Sequence, residues 1–372
     1  MTATRTSVLA RYSEGAKARQ EDLCCPVDYD RRLLAALPDE IVERDYGCGD
    51  PSRYVRAGDT VLDLGSGGGK ICYMAAQLVG EAGRVIGVDM NDDMLALARK
   101  YQDEMAARLG GDRVAFHKGL IQDLALDLAA TEGWLAEHPV TDAAGLMALQ
   151  DRQAAQRREA PLIADGSVDL VISNCVLNLV AERDRRGMIA EIFRVLKPHG
   201  RVAISDIVAD EPVPDELKND PELWSGCISG AFHEKAFLDA FVEAGFVGVG
   251  YDKWQAEPWR TVGGIEFRSV TLVASKPEAG ACVDRGHAVI YRGPFAEVRD
   301  DEGHVFPRGE RMAVCAGTYR LLTEGPYADD FVGIAPAGDA AERPWCAPPG
   351  TRRPAAETKG GRHRGGDGGG CC

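Results

Sequence analysis

The stretch "VLDLGSGGGKIC" (Val61–Cys72) runs from an apolar strand through a glycine-rich turn, Gly65 to Gly69, into a helix that continues as "KICYMAAQLVG". Glycines in such a turn let a ligand approach the backbone, and the helix N-terminus favours the ligand's negative end. The pattern then repeats. "GRVIGVDM" reads as a second strand, "NDDMLALARKYQDEMAARLG" as a helix capped by Asn91, and "VAFHKG" as a third strand. "SVDLVISN" is a fourth, "RGMIAEIFRVLKPHG" a helix stopped by Pro198 and Gly200, and "GRVAISDIV" a fifth. Strands separated by helices of this length predict an α/β fold, a doubly wound Rossmann-like parallel sheet with right-handed crossovers.

The turn is not built for a dinucleotide, because "GSGGGK" lacks the third glycine in register. Nor is it a phosphate loop, since no Ser or Thr follows Lys70. Asp63 near the end of the first strand would repel pyrophosphate but suit a cation such as S-adenosylmethionine. Asp89, ending the second strand, is placed to accept hydrogen bonds from both ribose hydroxyls of a nucleoside. "DLGSGGG" followed by "GVDM" resembles the class I S-adenosylmethionine-dependent methyltransferases over roughly residues 58 to 210. The resemblance implies that Asp63, Gly65 and Gly67, with Ser66 in the same turn, line the methionine side. It also implies that Asp89 holds the ribose and that Met90 and Ile121 flank the adenine. Asn174 is read as touching the cofactor's amino acid end or as capping the turn after the fourth strand.

Composition narrows the acceptor. The 372 residues are 45% hydrophobic and 27% charged, as in ordinary globular proteins, without the ~18-residue apolar run of a membrane span. The N-terminus lacks a secretory core, so the expected location is the cytoplasm. A net charge of −15 argues against nucleic acid, whose binding depends on basic side chains. Eleven dispersed cysteines in a reducing compartment point to metal, metalloid or redox chemistry rather than disulfides, and the absence of a C-x-x-C pair argues against structural zinc.

The fourth strand's end faces the transferable methyl in this fold, and there the chain has "SNCVLN". This matches neither the N/D-P-P-Y/F of amine methyltransferases nor the Pro-Cys of cytosine-C5 enzymes. Cys175 can instead bind the acceptor atom itself. Trivalent arsenic takes three thiolates and keeps a lone pair that serves as the nucleophile. Cys48 in "DYGCGDP" and Cys227 in "NDPELWSGCISGAF" are the expected companions. With "VISNCVLNLV", these stretches resemble the arsenite methyltransferase family over most of residues 24 to 275. The resemblance implies arsenite, or its thiol conjugate, bound by Cys48, Cys175 and Cys227. It also implies S-adenosylmethionine as methyl donor, with glutathione or thioredoxin as reductant and a role in arsenic detoxification. The paired Cys24 and Cys25 of "LCCP" are implied as a redox relay, and the terminal Cys371 and Cys372 in arsenic capture. Two other functions stay open at this point: methyl transfer to another small molecule, and metalloid binding without catalysis.

Five segments are expected: a helical leader, 1–57, with Cys24, Cys25 and Cys48; the cofactor-binding domain, 58–210, with an insertion at about 124–164; the arsenic-binding loop and end of the catalytic domain, 211–278; a small β-rich region, 279–347; and a disordered Gly/Arg-rich tail, 348–372. Within the leader, "DYDRRLLAALPDEIVER" reads as one helical segment. Cys72 reads as a core residue, and Cys282, Cys315 and Cys346 as structural or unused. His117 and His233 are expected at the surface or in loops, and Tyr46 either closes over the sulfonium or packs.

Overall fold

Chain order begins with helices α1 (Ala3–Lys17), α2 (Arg31–Leu34) and α3 (Asp39–Glu43). The segment 28–44 is therefore two short helices rather than one. Pro38, which caps α3, disfavours helical backbone in the residue before it. The computed structural model describes residues 3–20, 27–278, 282–325, 327–336, 342–345, 347–348 and 350–358. Cys24, Cys25, Cys346, Cys371 and Cys372 lie outside them.

The alternation read from the sequence follows: β1 (Thr60–Leu64), α4 (Lys70–Val79), β2 (Arg84–Asp89), α5 (Asp92–Lys100), α6 (Gln102–Leu109) and β3 (Val114–Leu120). The Asn91 side chain caps α5 through the Asp93 and Met94 N–H groups, as its position predicts. The insertion holds β4 (Asp123–Asp127), α7 (Leu128–Glu137) and α8 (Ala143–Glu159). Next come β5 (Val168–Asn174), α9 (Glu182–Val195) and β6 (Leu196–Ala209). Helix α9 ends before Pro198 because the residues preceding a proline are driven into extended backbone, so the strand starts earlier than expected. The first unit closes with α10 (Asp215–Lys218), α11 (Pro221–Ser225), β7 (Phe232–His233), α12 (Glu234–Glu243), β8 (Val247–Trp254), β9 (Arg260–Val262) and β10 (Ile265–Ser275).

The main sheet has the order β4-β3-β2-β1-β5-β6-β10-β8, with β7 beside β6 and β9 beside β10. Strands β3, β2, β1, β5 and β6 are parallel, whereas β4, β10 and β8 join antiparallel, so the sheet is mixed rather than purely parallel. Alternate side chains serve opposite faces. Leu62, Leu64 and Val171 join Met188, Ile192 and Phe237 on one side, and Val61, Leu170 and Ile172 join Ile71, Leu95 and Met105 on the other. Strand order reverses at β1, so a cleft opens beyond the carboxyl ends of β1 and β5.

The chain divides into the units Met1–Lys276 and Pro277–Cys372. The second contains β11 (Val283–Asp284), β12 (Ala288–Tyr291), β13 (Glu297–Arg299), β14 (Val305–Pro307), β15 (Arg311–Ala313), α13 (Ala316–Glu324), β16 (Phe331–Ile334) and β17 (Arg343–Pro344). Strand β12 lies between β15 and β16, β13 and β14 form a hairpin, and β11 pairs with β17. In the tail expected to be disordered from 348, Arg353 and Thr358 are buried, while most of 351–358 is exposed. Arg353 is paired with Asp284 at 2.6 Å, a long-range ion pair that Gly and Arg content does not reveal. Among the described residues no helix is long and apolar enough to cross a membrane.

Candidate active site

A cavity of about 420 Å³ opens at the carboxyl edge of β1, β2 and β5. Asp63, Gly65, Ser66, Gly67, Asp89, Met90, Ile121 and Asn174, the residues singled out in the sequence, all line it, together with Cys175. Gly65 has φ +70°, and a Cβ there would meet Val176 at 2.5 Å, so the turn needs glycine for both backbone and space. Asp89 accepts from the N–H groups of Gly67 at 2.9 Å and Asn91 at 2.8 Å, which points its carboxylate into the cleft.

Asp63 is buried, and burial lifts its pKa to about 7; the Cys72 thiol, donating at 3.2 Å, pulls it down, while the charges of Asp45 and Asp89 push it up. Cys72 is indeed a core residue, but one whose thiol faces this carboxyl. Burial works against the Lys70 ammonium, but its ion pair with Asp45 and contact with Tyr29 outweigh this and raise its pKa.

Cys48, Cys175 and Cys227 are brought together with Ile207, Val213, Ile228 and Phe267 in one buried cluster. Cys48 and Cys175 form a disulfide, and the Cys227 thiol donates to the Cys175 carbonyl at 3.1 Å. Cys175 and Cys227 both have φ +61°, in the left-handed region. That backbone costs a non-glycine residue roughly 1–2 kcal/mol, and such strain gathers at functional sites.

Asn174 holds the first cysteine in place. Its Oδ1 accepts from Cys48 N at 2.9 Å and Gly49 N at 3.1 Å, while its Nδ2 donates to Gly49 O at 2.9 Å and Tyr29 at 3.2 Å. This clamp, rather than a cap on the following turn, is what its side chain does. The loop sits so close that a Cβ at Gly49 would fall 2.3 Å from Ser205 Oγ.

Several parts of the site escaped the sequence reading. Helix α1 brings Val8, Leu9 and Tyr12 to the cavity wall, and Tyr12 hydrogen-bonds with the Cys227 thiol. Burial, with that contact, raises the tyrosine pKa well above its ordinary value. Tyr46 binds Gln20 N and the Gly15 carbonyl, so it fastens α1 while lining the same cavity. Asp206 lies beside the sulfurs of Cys48 and Cys175, the ligand atoms all within 4.8 Å of one another. Burial raises its pKa to about 6 against the pull of N–H donors from Ile207, Asn178 and Leu177. Buried Arg185 of α9 donates to the Gly230 carbonyl in the loop after Cys227 and to the Val180 carbonyl just before its own helix. His233 caps α12, and His117 is half-buried in the middle of β3.

Two family models match the chain, one described as a methyltransferase domain, over residues 56–144 and 150–245, and one as a domain of unknown function (DUF8838), over 278–363. The arsenite methyltransferase of Aquipseudomonas alcaligenes is 34% identical over 315 residues, 80% of each chain. The chain belongs to the arsenite methyltransferase family. The human arsenite methyltransferase is 30% identical over 321 residues, 83% of this chain and 76% of that one. Among solved structures, CrArsM, an arsenic (III) S-adenosylmethionine methyltransferase from Chlamydomonas reinhardtii, aligns with a TM-score of 0.55 at 28% identity. That match covers 87% of this chain and all of CrArsM. This member of the arsenite methyltransferase family is thus an S-adenosylmethionine-dependent methyltransferase, with the β-rich second unit following its catalytic fold.

Proposed function

We infer that the protein methylates As(III) held by Cys48, Cys175 and Cys227, using S-adenosylmethionine. The observation that carries this reading is the convergence of three cysteines from distant segments in one buried cluster, with Cys175 also lining the cofactor cavity. The cavity suits the cofactor in size and donor set, since small-molecule sites run to about 300–1,000 Å³. Asp89 would hold the ribose, Met90 and Ile121 the adenine, and Asp63 with the Gly65 turn the cationic amino acid end. S-adenosylmethionine, when bound, supplies an electrophilic methyl group on a sulfonium.

The chain's own work is to bind and align the acceptor. Three thiols displace three ligands from arsenite or its thiol conjugate, each ligand leaving with a thiol proton, and arsenic stays trivalent. The retained lone pair is the nucleophile, so no general base is required, and rate comes from alignment. The Cys48–Cys175 disulfide must first be opened. Two glutathione molecules, or one thioredoxin dithiol, supply the two electrons and two protons and leave as the disulfide. Transfer raises arsenic formally by two, and Cys24 and Cys25 are proposed to return it to the trivalent state by giving up two electrons and closing a disulfide, which thioredoxin or glutathione reopens. This chemistry belongs to a reducing cytoplasm and to arsenic detoxification.

The direct test incubates purified protein with S-adenosylmethionine, arsenite and a thiol reductant and separates arsenic species by chromatography with elemental detection. Methylarsenicals dependent on all three components are expected; consumption of S-adenosylmethionine without them would reject arsenic as acceptor.

Cofactor affinity should follow the ionisation of Asp63. Its pKa of about 7 means that it is increasingly protonated as pH falls below 7, and a bound cation must then displace that proton. The dissociation constant of S-adenosylmethionine, measured calorimetrically, should therefore rise by up to about tenfold per pH unit below 7 and level off above about 8. Asp63→Asn should bind weakly and lose that slope. A constant affinity from pH 5.5 to 8 in the unmodified protein would exclude this role for the carboxyl.

A further inference from the structure

Among its described residues, the second unit contains two cysteines, Cys282 and Cys315, that no part of the methyl-transfer site uses. Cys315 is the cap residue of α13; its sulfur accepts the Thr318 N–H at 3.4 Å and lies 3.3 Å from Thr318 Oγ1. Cys282 directly precedes β11, which packs on α13, and its carbonyl accepts the Trp345 N–H at 2.8 Å. Because β11 packs on α13, the Cys282 thiol comes beside that of Cys315 and interacts with it, and neither forms a disulfide. Cys282 is exposed whereas Cys315 is buried, so one thiol is open to solvent and the other stands behind it. Each reads in sequence as a filler residue; the fold turns them into a dithiol.

Two thiols define a ligand class. Inorganic As(III) offers three exchangeable positions and is matched by three thiols, whereas an arsenical that already carries one carbon offers two. We infer that Cys282 and Cys315 form a binding site for a monosubstituted trivalent arsenical. The reaction is balanced without redox change: R–As(OH)₂ and two thiols give R–As(S-Cys)₂ and two water molecules, with arsenic trivalent throughout. Cys282 engages first, and Cys315 closes the chelate. Choosing an arsenical over another thiophilic ligand rests on the arsenic-methylating reading above, in which the first methyl transfer, followed by two-electron reduction by thiols, yields a ligand of this class. The site would hold that product outside the catalytic cluster.

The test uses the reduced full-length chain and phenylarsine oxide, with alkylation of exposed Cys282 as the reporter, followed by peptide mass spectrometry. Chelation by a second thiol strengthens binding by about 10²–10⁴ over one thiol alone. Phenylarsine oxide at one equivalent per site should therefore block Cys282 alkylation in the wild type and leave it unblocked in Cys315→Ser. Serine retains the helix cap, so this variant should fold normally. Bound arsenic per chain should fall by one in Cys282→Ser, in Cys315→Ser and again by only one in the double variant. The chain with Cys48, Cys175 and Cys227 all changed to Ser should still protect Cys282, while the Cys282 and Cys315 variants should retain turnover of arsenite. Those two arms separate failure of this site from failure of the methylation reading. Cys282 that stays blocked in Cys315→Ser, or that is alkylated at the same rate with and without the probe in the wild type, would overturn the inference.

Discussion

Cys175→Ser is expected to reduce arsenic methylation by at least about a hundredfold while S-adenosylmethionine still binds within about threefold of the wild type. The side chain stands between the two halves of the site: it lines the cofactor cavity, and its sulfur belongs to the cluster with Cys48 and Cys227. Serine keeps the size and the polar end but is a hard oxygen ligand that does not replace a thiolate on a soft metalloid. Arsenic then has two thiolates instead of three, and its lone pair is no longer fixed on the line of attack. Cys315→Ser is the matched control, because Cys315 is equally buried but belongs to the second unit, where it caps α13. Turnover and cofactor titration, measured on the same preparations, distinguish loss of the acceptor site from loss of the fold. Wild-type methylation by Cys175→Ser would remove the cysteine from the mechanism.

What could be read in advance depended on whether the relevant contacts lie along the chain or across it. Asp63, the Gly65 turn and Asp89 belong to a strand–loop–helix–strand succession, so spacing alone brings them to one edge. The cysteines were legible through chemistry, because few residue types bind a soft acceptor. Their αL conformations at Cys175 and Cys227, and the Asn174 clamp on Cys48, are tertiary facts with no local signature. Helix α1 was missed because Val8, Tyr12 and Ala16 make only a narrow apolar stripe among charged and small residues, and its stability comes from what it covers. Arg11 donates to the Glu222 carbonyl at 3.0 Å, and the Leu9 carbonyl accepts from Asn91 at 3.1 Å. Antiparallel β10 and β8 were hidden for a similar reason: alternation identifies a strand but not the direction of its neighbour.

Asp206 is the clearest case of a residue whose importance comes only from convergence, and Asp206→Asn should damage both stability and turnover. One carboxylate oxygen accepts from Leu177 N at 2.9 Å and Asn178 N at 3.4 Å; the other accepts from Asn178 Nδ2 and Ile207 N, both at 2.8 Å. These donors hold the turn that follows Cys175 and so maintain its left-handed backbone. An asparagine has a single acceptor oxygen, and its amide N–H groups would face donors on the other side. Buried donors left without an acceptor cost about 1–3 kcal/mol each, so a loss of roughly 2–4 kcal/mol is expected in denaturant unfolding of the catalytic unit. Asp206 does not line the cofactor cavity, so S-adenosylmethionine affinity should be nearly unchanged. Methylation should fall by about 10–100-fold, the usual effect of removing a group that orients a ligand. Re-formation of the Cys48–Cys175 disulfide after reduction supplies a readout that general destabilisation would not slow, because a loosened turn separates the sulfurs even in the folded state. Slower closure together with slower methylation would show that the carboxylate acts by positioning Cys175. Normal closure and turnover in a less stable protein would restrict Asp206 to the fold.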